Sequence, residues 1–169
     1  MHQAFFVIIR GPLGAGKTTI SKELAREHNA HYISIDEILE KFDLEEWEEG
    51  YISETSFIRA NEIAAKESMK QLEDGLSVIF DGNFYYKRVI LDLIRRLKEF
   101  EGIVITLSVP LEVCMRRDAF RRKALGEDET RMVYKKSAEF NFGIEVNADR
   151  EKKEVLGNIS RIIKEKMKN

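Results

Sequence analysis

Short apolar runs rich in β-branched residues alternate along the chain with stretches of helical spacing. Phe5 to Ile9 is such a run and stops at Arg10-Gly11. A run of that length bounded by glycine predicts a buried strand. Lys17 to His28 follows as a helix with Ile20, Leu24 and Ala25 on one face. Tyr32 to Ile35 predicts a second strand ending at Asp36, and Ile38, Leu39 and Phe42 a short helix after it. Thr55 to Leu72 predicts a long amphipathic helix with Ile58, Ile63, Ala64 and Met69 as packing positions, ended by Asp74-Gly75. Ser77 to Phe80 is a third strand, Val89 to Leu97 a helix, and Ile103 to Val109 a fourth strand stopped by Pro110. A helix carrying a basic cluster, residues 116 to 123, comes next, and Gly126 to Glu129 opens another. Ile144 and Val146 mark a short fifth strand, and Glu151 to Met167 a closing helix with Val155, Ile159, Ile162 and Ile163 inward. Strands separated by helices imply crossover connections. The expected fold is therefore α/β: a mainly parallel five-stranded sheet, helices on both faces, in three layers.

Composition narrows this little but excludes much. The 169 residues fit one domain, expected over residues 1–169. A chain of this length buries roughly two thirds of its unfolded surface, enough for a core without staples. The lone Cys114 offers no internal disulfide. With 28 Lys+Arg against 30 Asp+Glu the net charge is -2, so the chain as a whole is no generic polyanion binder. No apolar run approaches a membrane span. The start, Met1 to Ile9, reads as a structural strand and not as a leader, which makes the cytoplasm the expected location. The balanced total hides a separation: residues 36 to 54 are acidic and residues 116 to 123 basic.

Gly11-Pro12-Leu13-Gly14-Ala15-Gly16-Lys17-Thr18 matches the phosphate-binding (Walker A) loop in full, followed by Thr19. Glycines allow the backbone to wrap a phosphate with its N–H groups inward, and the next helix offers its positive N-terminus. Lys17 supplies charge to the β- and γ-phosphates, and the Thr18 hydroxyl suits Mg²⁺. A predicted strand before the loop and a helix after it supply the context the motif requires. Together they indicate a nucleoside triphosphate with Mg²⁺. The guanine-recognition motif Asn-Lys-x-Asp is missing from the sequence, which favours ATP.

Further candidates follow from strand ends, which face the ligand crevice in such sheets. Asp36 would lie near the γ-phosphate, where it can accept a proton from, or orient, an acceptor hydroxyl. Capping of the following helix is the alternative role. Asp81, after Val78-Ile79-Phe80, suits the metal; a turn aspartate before Gly82 is the alternative. Arg117 and Arg121, four apart, are the chosen pair to neutralise the transferring phosphoryl group from a lid at about residues 115–130. Arg116 and Arg122 are alternatives, and Asp118–Arg122 as a surface pair is the bland reading. Acceptor specificity is expected in residues 37 to 75. There Arg59 is a candidate for an anionic group, with a solvated helix face as the equal alternative, and Trp47 is expected in core or interface packing, with stacking on a planar substrate as the alternative. Phe84, Tyr85 and Tyr86 are expected to pack between sheet and helix, with lining of the acceptor pocket as the alternative. His2, His28 and His31 have no metal-ligand spacing, and Cys114 reads as a buried thiol.

These residues resemble the small P-loop kinases with the nucleoside monophosphate kinase fold. Within them they are similar to the 5′-polynucleotide kinase and zeta-toxin-like group. The resemblance implies a helical lid, ATP and Mg²⁺ as cofactors, and Asp36 as general base. It also places Asp81-Gly82-Asn83 at the family's Asp-Thr-Asn, which makes Asn83 and Arg88 substrate residues. Val109-Pro110 with Arg117 and Arg121 matches the lid helix, Arg131 to Lys135 the helix after it, and Asn147-Ala148-Asp149 the turn near adenine. One departure matters. The polynucleotide kinases place an arginine three residues after the base aspartate, and here that position is Leu39. An acidic rim also opposes a nucleic-acid strand. The expected function is therefore an ATP- and Mg-dependent kinase acting on a hydroxyl of a small metabolite, nucleoside or nucleotide. A polynucleotide 5′-hydroxyl kinase is the alternative, and a non-catalytic ATP-binding switch is the alternative of another class. Oligomeric state is open.

Overall fold

A computed structural model describes residues 3–168; His2 lies outside them. Strand β1 (Phe5–Arg10) is the centre of a five-stranded sheet. Its neighbours are β5 (Val78–Asp81) and β6 (Glu101–Ser108), with β2 (His31–Ser34) and β7 (Ile144–Asn147) at the edges. Every pairing is parallel. Strands of such a sheet are covered on both faces, which is why Phe6 to Ile9 and Val78 to Phe80 are continuous apolar runs without alternation.

Helices α1 (Lys17–Glu27), α5 (Leu111–Ala119) and α7 (Lys152–Lys166) share one core with one face of the sheet. In it Ile20, Leu24, Val113, Val155 and Ile159 meet Val7, Ile9 and Ile105. Helices α2 (Ile35–Lys41), α3 (Glu54–Glu73) and α4 (Lys87–Arg96) cover the other face, with Phe57, Ala60, Ala64 and Leu93 against Phe6, Ile8 and Phe80. Helix α6 (Glu127–Ser137) adds Val133 to that second core. The α/β layering read from the sequence is thus the fold. No helix among the described residues is long and apolar enough to cross a membrane.

The structure redraws several local features. Strand β2 ends at Ser34, which caps α2 by accepting the Glu37 N–H at 3.2 Å. Asp36 therefore stands in the first turn of α2 and is not its cap. A hairpin absent from the sequence reading joins β3 (Trp47–Glu48) to β4 (Tyr51–Ile52). Its turn puts Glu49 (φ 51) and Gly50 (φ 82) in left-handed conformations, the geometry of a tight hairpin turn. The core anchors it: Tyr85 Oη accepts the Ile52 N–H at 3.0 Å and Tyr86 Oη donates to the Ile52 carbonyl at 3.0 Å. The basic cluster is not one helix. Arg116 and Arg117 belong to α5, which ends at Ala119, while Arg121, Arg122 and Lys123 lie in the connection to α6.

Arg10 is not a strand terminator but the last residue of β1, and it is fully buried. It donates to the Ser137 carbonyl at 2.8 Å and to Thr106 Oγ1 at 3.2 Å, and its guanidinium lies 4.4 Å from the Phe140 ring centre. Burial lowers its pKa to about 10, so it stays charged at neutral pH. It ties the strand leading into the glycine loop to the end of α6.

Candidate active site

The loop between β1 and α1 has the conformation its residues predict. Gly14 (φ 78) and Gly16 (φ 89) take left-handed backbone angles. Gly16 is also the N-cap residue of α1, without a side-chain cap, and no acidic residue stands in the first turn. The first N–H groups of α1 are therefore left for an anion, with the helix dipole behind them. Gly14 has a second constraint: a Cβ there would come within 2.5 Å of the Cys114 carbonyl oxygen on α5. Gly14→Ala should then force loop and helix apart and strain the backbone, costing about 2–4 kcal/mol of stability and most of the nucleotide affinity. Thermal melts and nucleotide titrations check both.

Lys17 is 8% exposed, and its Nζ donates to the Pro12 carbonyl at 2.9 Å. Burial lowers its pKa, while Asp81 and Asp36 pull it back up. Asp81, at the end of β5, is 2% exposed. Its Oδ2 accepts the Tyr32 hydroxyl at 2.9 Å, and its Oδ1 has no protein partner. A buried carboxylate oxygen left free beside a phosphate loop fits a metal ion or its water, and the exposed Thr18 offers a hydroxyl from the loop. Tyr32 has no motif to announce it; only the pairing of β2 with β5 brings it to Asp81.

Asp36 is open to solvent along a cleft whose walls crowd it. Desolvation pushes its carboxyl up to about 6, Lys17 works against the rise, and Asp81 and Glu45 add to it. Water on its open side moderates the shift. Two hollows meet at this residue. One, of about 300 Å³, is lined by the glycine loop, Lys17, Thr18, Thr19, Arg117 and Arg121. The other, of about 360 Å³, is lined by Glu45, Trp47, Tyr51, Tyr85, Glu129 and Met132. Both share Leu13, Asp36, Asn83 and Arg121.

Arg117, half-buried, donates to the Gly14 carbonyl at 3.4 Å and the Ala148 carbonyl at 3.1 Å, bridging the loop and the turn after β7. Arg121 lines the same hollow from just beyond the end of α5, where its N–H closes a turn on the Asp118 carbonyl at 2.9 Å. The side chain of the buried Asp118 holds the connection that follows. It accepts the N–H groups of Leu125 and Gly126, each at 3.0 Å, and lies 3.7 Å from Arg121. It is an internal anchor and not the surface partner of Arg122. Neither Arg116 nor Arg122 lines the cleft hollows.

Other candidates separate. Arg59 pairs with Glu46 at 2.8 Å and Arg88 with Glu54 at 3.4 Å, and neither lines the cleft. Trp47 is 58% exposed on the hairpin and lines the second hollow, contrary to the expected packing role. Phe84 and Tyr85 are buried in the core, as expected of that aromatic run, and Tyr85 also reaches the cleft. Cys114 is buried, and burial raises its thiol to about 11. His28 and His31 contact Ser160 and Glu67, and no metal-ligating cluster of three occurs among the described residues. A further hollow of about 230 Å³ beside the loop is lined by Ala15, Thr19, Arg117, Ala148, Arg150 and Lys152. Arg150 and Lys152 were not singled out in the sequence, although two bases directly after a strand end were a usable signal.

Comparison with known proteins agrees with this fold. The AAA domain family matches residues 6–140. A shikimate kinase of Francisella tularensis subsp. novicida is 30% identical over 138 residues, which cover 75% of this chain and 72% of that protein. An unliganded sugar kinase from Janibacter superposes with a TM-score of 0.77 at 16% identity, over 95% of both chains. The APS kinase of Mycobacterium tuberculosis, in complex with AMPPNP and APS, superposes with a TM-score of 0.78 at 13% identity, over 97% of this chain and 99% of that one. These relatives do not carry the finer resemblance to polynucleotide kinases.

Proposed function

Because this chain belongs to the AAA domain family, on the P-loop kinase side of it, we propose that it transfers the γ-phosphoryl group of ATP to a hydroxyl of a small-molecule acceptor. One observation carries the reading: Asp36 stands where the glycine-loop hollow meets a second hollow large enough for a metabolite.

The loop from Gly11 to Thr19 cradles the phosphates, and Lys17 holds the β- and γ-phosphates from its buried position. The hollow by Ala148 and Arg150 takes the nucleoside end of ATP. Thr18 and Asp81 hold Mg²⁺, which when bound neutralises phosphate charge. Arg117 and Arg121 neutralise the transferring group, and the stretch at about 115–130 serves as a lid that excludes water. Asp36 accepts the proton of the acceptor hydroxyl as its oxygen bonds to the γ-phosphorus and the bond to the ADP oxygen breaks. Asn83 Oδ1, buried without a partner at the junction of the hollows, accepts a hydrogen bond from the same acceptor. Arg59 and Arg88 take no part, since neither lines the cleft.

The test is a screen with γ-labelled ATP and Mg²⁺ over sugars, nucleosides, hydroxy acids and 5′-hydroxyl oligonucleotides. Label is expected on a small acceptor. Transfer confined to oligonucleotides, or hydrolysis with every acceptor, would sink the proposal.

A further inference from the structure

The charge around the second hollow points to the kind of acceptor. Its walls carry three carboxylates, Asp36, Glu45 and Glu129, against one cation, Arg121. Arg121 also lines the glycine-loop hollow, where it faces the phosphates. Glu45 and Glu129 have no cationic partner among the described residues, whereas nearby Glu46 and Glu54 are matched by Arg59 and Arg88. Arg59, the candidate for an anionic group, and Arg88 both stand outside the hollow. The same walls are aromatic. Trp47 presents an exposed ring on the hairpin, and Tyr51 and Tyr85 stand near it. Lys136 lies 5.3 Å from the Tyr51 ring centre, paired with Glu139 and not lining the hollow. Carboxylates set among aromatic faces favour a cation, through charge and through the negative faces of the rings. They repel a carboxylate such as the one shikimate bears.

We propose that the acceptor of this kinase carries a cationic amine, seated among Glu45, Glu129 and the Trp47 ring, beside the hydroxyl presented to Asp36. The inference rests on the kinase reading for the hydroxyl, but the amine preference stands on the hollow alone. At about 360 Å³ the hollow admits a molecule of monosaccharide size or somewhat larger.

Trp47 is the single tryptophan of the chain, so its fluorescence reports on this wall directly. With Mg-ADP present, the protein is titrated with sets matched in skeleton and different in charge. Glucosamine, glucose and gluconate form one set; an amino alcohol, its diol and its hydroxy acid form another. An amine member should move Trp47 emission at a concentration about tenfold lower than its neutral analogue, and the carboxylate member should have no effect, because wall charge and aromatic face add in favour of a cation. The preference should shrink with added salt. The double variant Glu45→Gln/Glu129→Gln should erase it while leaving ADP affinity unchanged. No response to any amine, carboxylates binding as well as amines, or a preference surviving in the double variant overturns the inference. Labelled-ATP transfer is measured on the same sets. Amine binding without transfer to any member supports the charge preference and overturns the kinase reading, so the two failures are distinguishable.

Discussion

Asp36→Asn should lower phosphoryl transfer by about 10²–10⁴-fold while leaving nucleotide binding intact, because it removes the proton acceptor and nothing that touches the phosphates. The pH dependence carries the same assignment. Desolvation places the Asp36 carboxyl at about 6 in the free protein. The basic form therefore accumulates as pH rises through that value, and kcat/KM should rise with it. Below it the rate should fall with each added proton, and this acid limb should be missing from the residual activity of Asp36→Asn. Stability runs the other way. An acid whose pKa is raised on folding, from 3.8 to about 6, binds its proton more tightly in the folded chain. Its contribution is fully present below the lower value and is lost as pH rises through the window between them. Asp36→Asn should therefore melt higher than the parent at pH 7.5, with the difference shrinking toward pH 5. The gain should be about 2–4 °C, the effect of roughly 1 kcal/mol in a chain of this length, because water on the open side screens the carboxylate. Full transfer activity in Asp36→Asn would remove the base assignment.

Lys17→Met should cost at least about 10²–10³-fold in transfer and weaken ATP more than it weakens adenosine, since the lost charge serves the phosphates alone. It should also move Asp36. Lys17 is the main charge opposing the rise of that carboxyl, and Asp81 and Glu45 reinforce the rise. Removing the cation should shift the Asp36 titration above its parent value, and Asp81→Asn should shift it below. Carboxyl-carbon NMR titration of the three proteins follows this without any turnover. An Asp36 titration unchanged in Lys17→Met would mean that the two groups do not share a site.

The phosphate loop was legible because its chemistry is local. Glycines at fixed spacing, Lys17 and the helix after it specify one backbone shape, and eight consecutive residues contain all of it. Asp81 was legible as a strand-end carboxylate and Asp36 as one just beyond a strand, since a parallel sheet delivers its carboxyl ends to one rim. The hairpin was not. Two residues per strand in an acidic run leave no period to read, and its partners, Tyr85 and Tyr86, lie more than thirty residues away. The lid arginines were chosen for a helical spacing they do not use. Arg121 lies beyond the end of α5, where its N–H closes a turn on the Asp118 carbonyl at 2.9 Å.

The sequence by itself determined the alternation of strands and helices, the loop that holds phosphate, and the two carboxylates beside it. Each of these depends on periodicity or on neighbours a few residues apart. Only the tertiary structure decided which charges meet. Arg59 and Arg88 pair with Glu46 and Glu54 at the surface, Tyr32 donates to Asp81, and Trp47, exposed, lines the same hollow as Glu45 and Asp36. Pairing among side chains depends on distances set by sheet order and chain reversal, and a balanced charge total of -2 carries no trace of where the unmatched carboxylates lie.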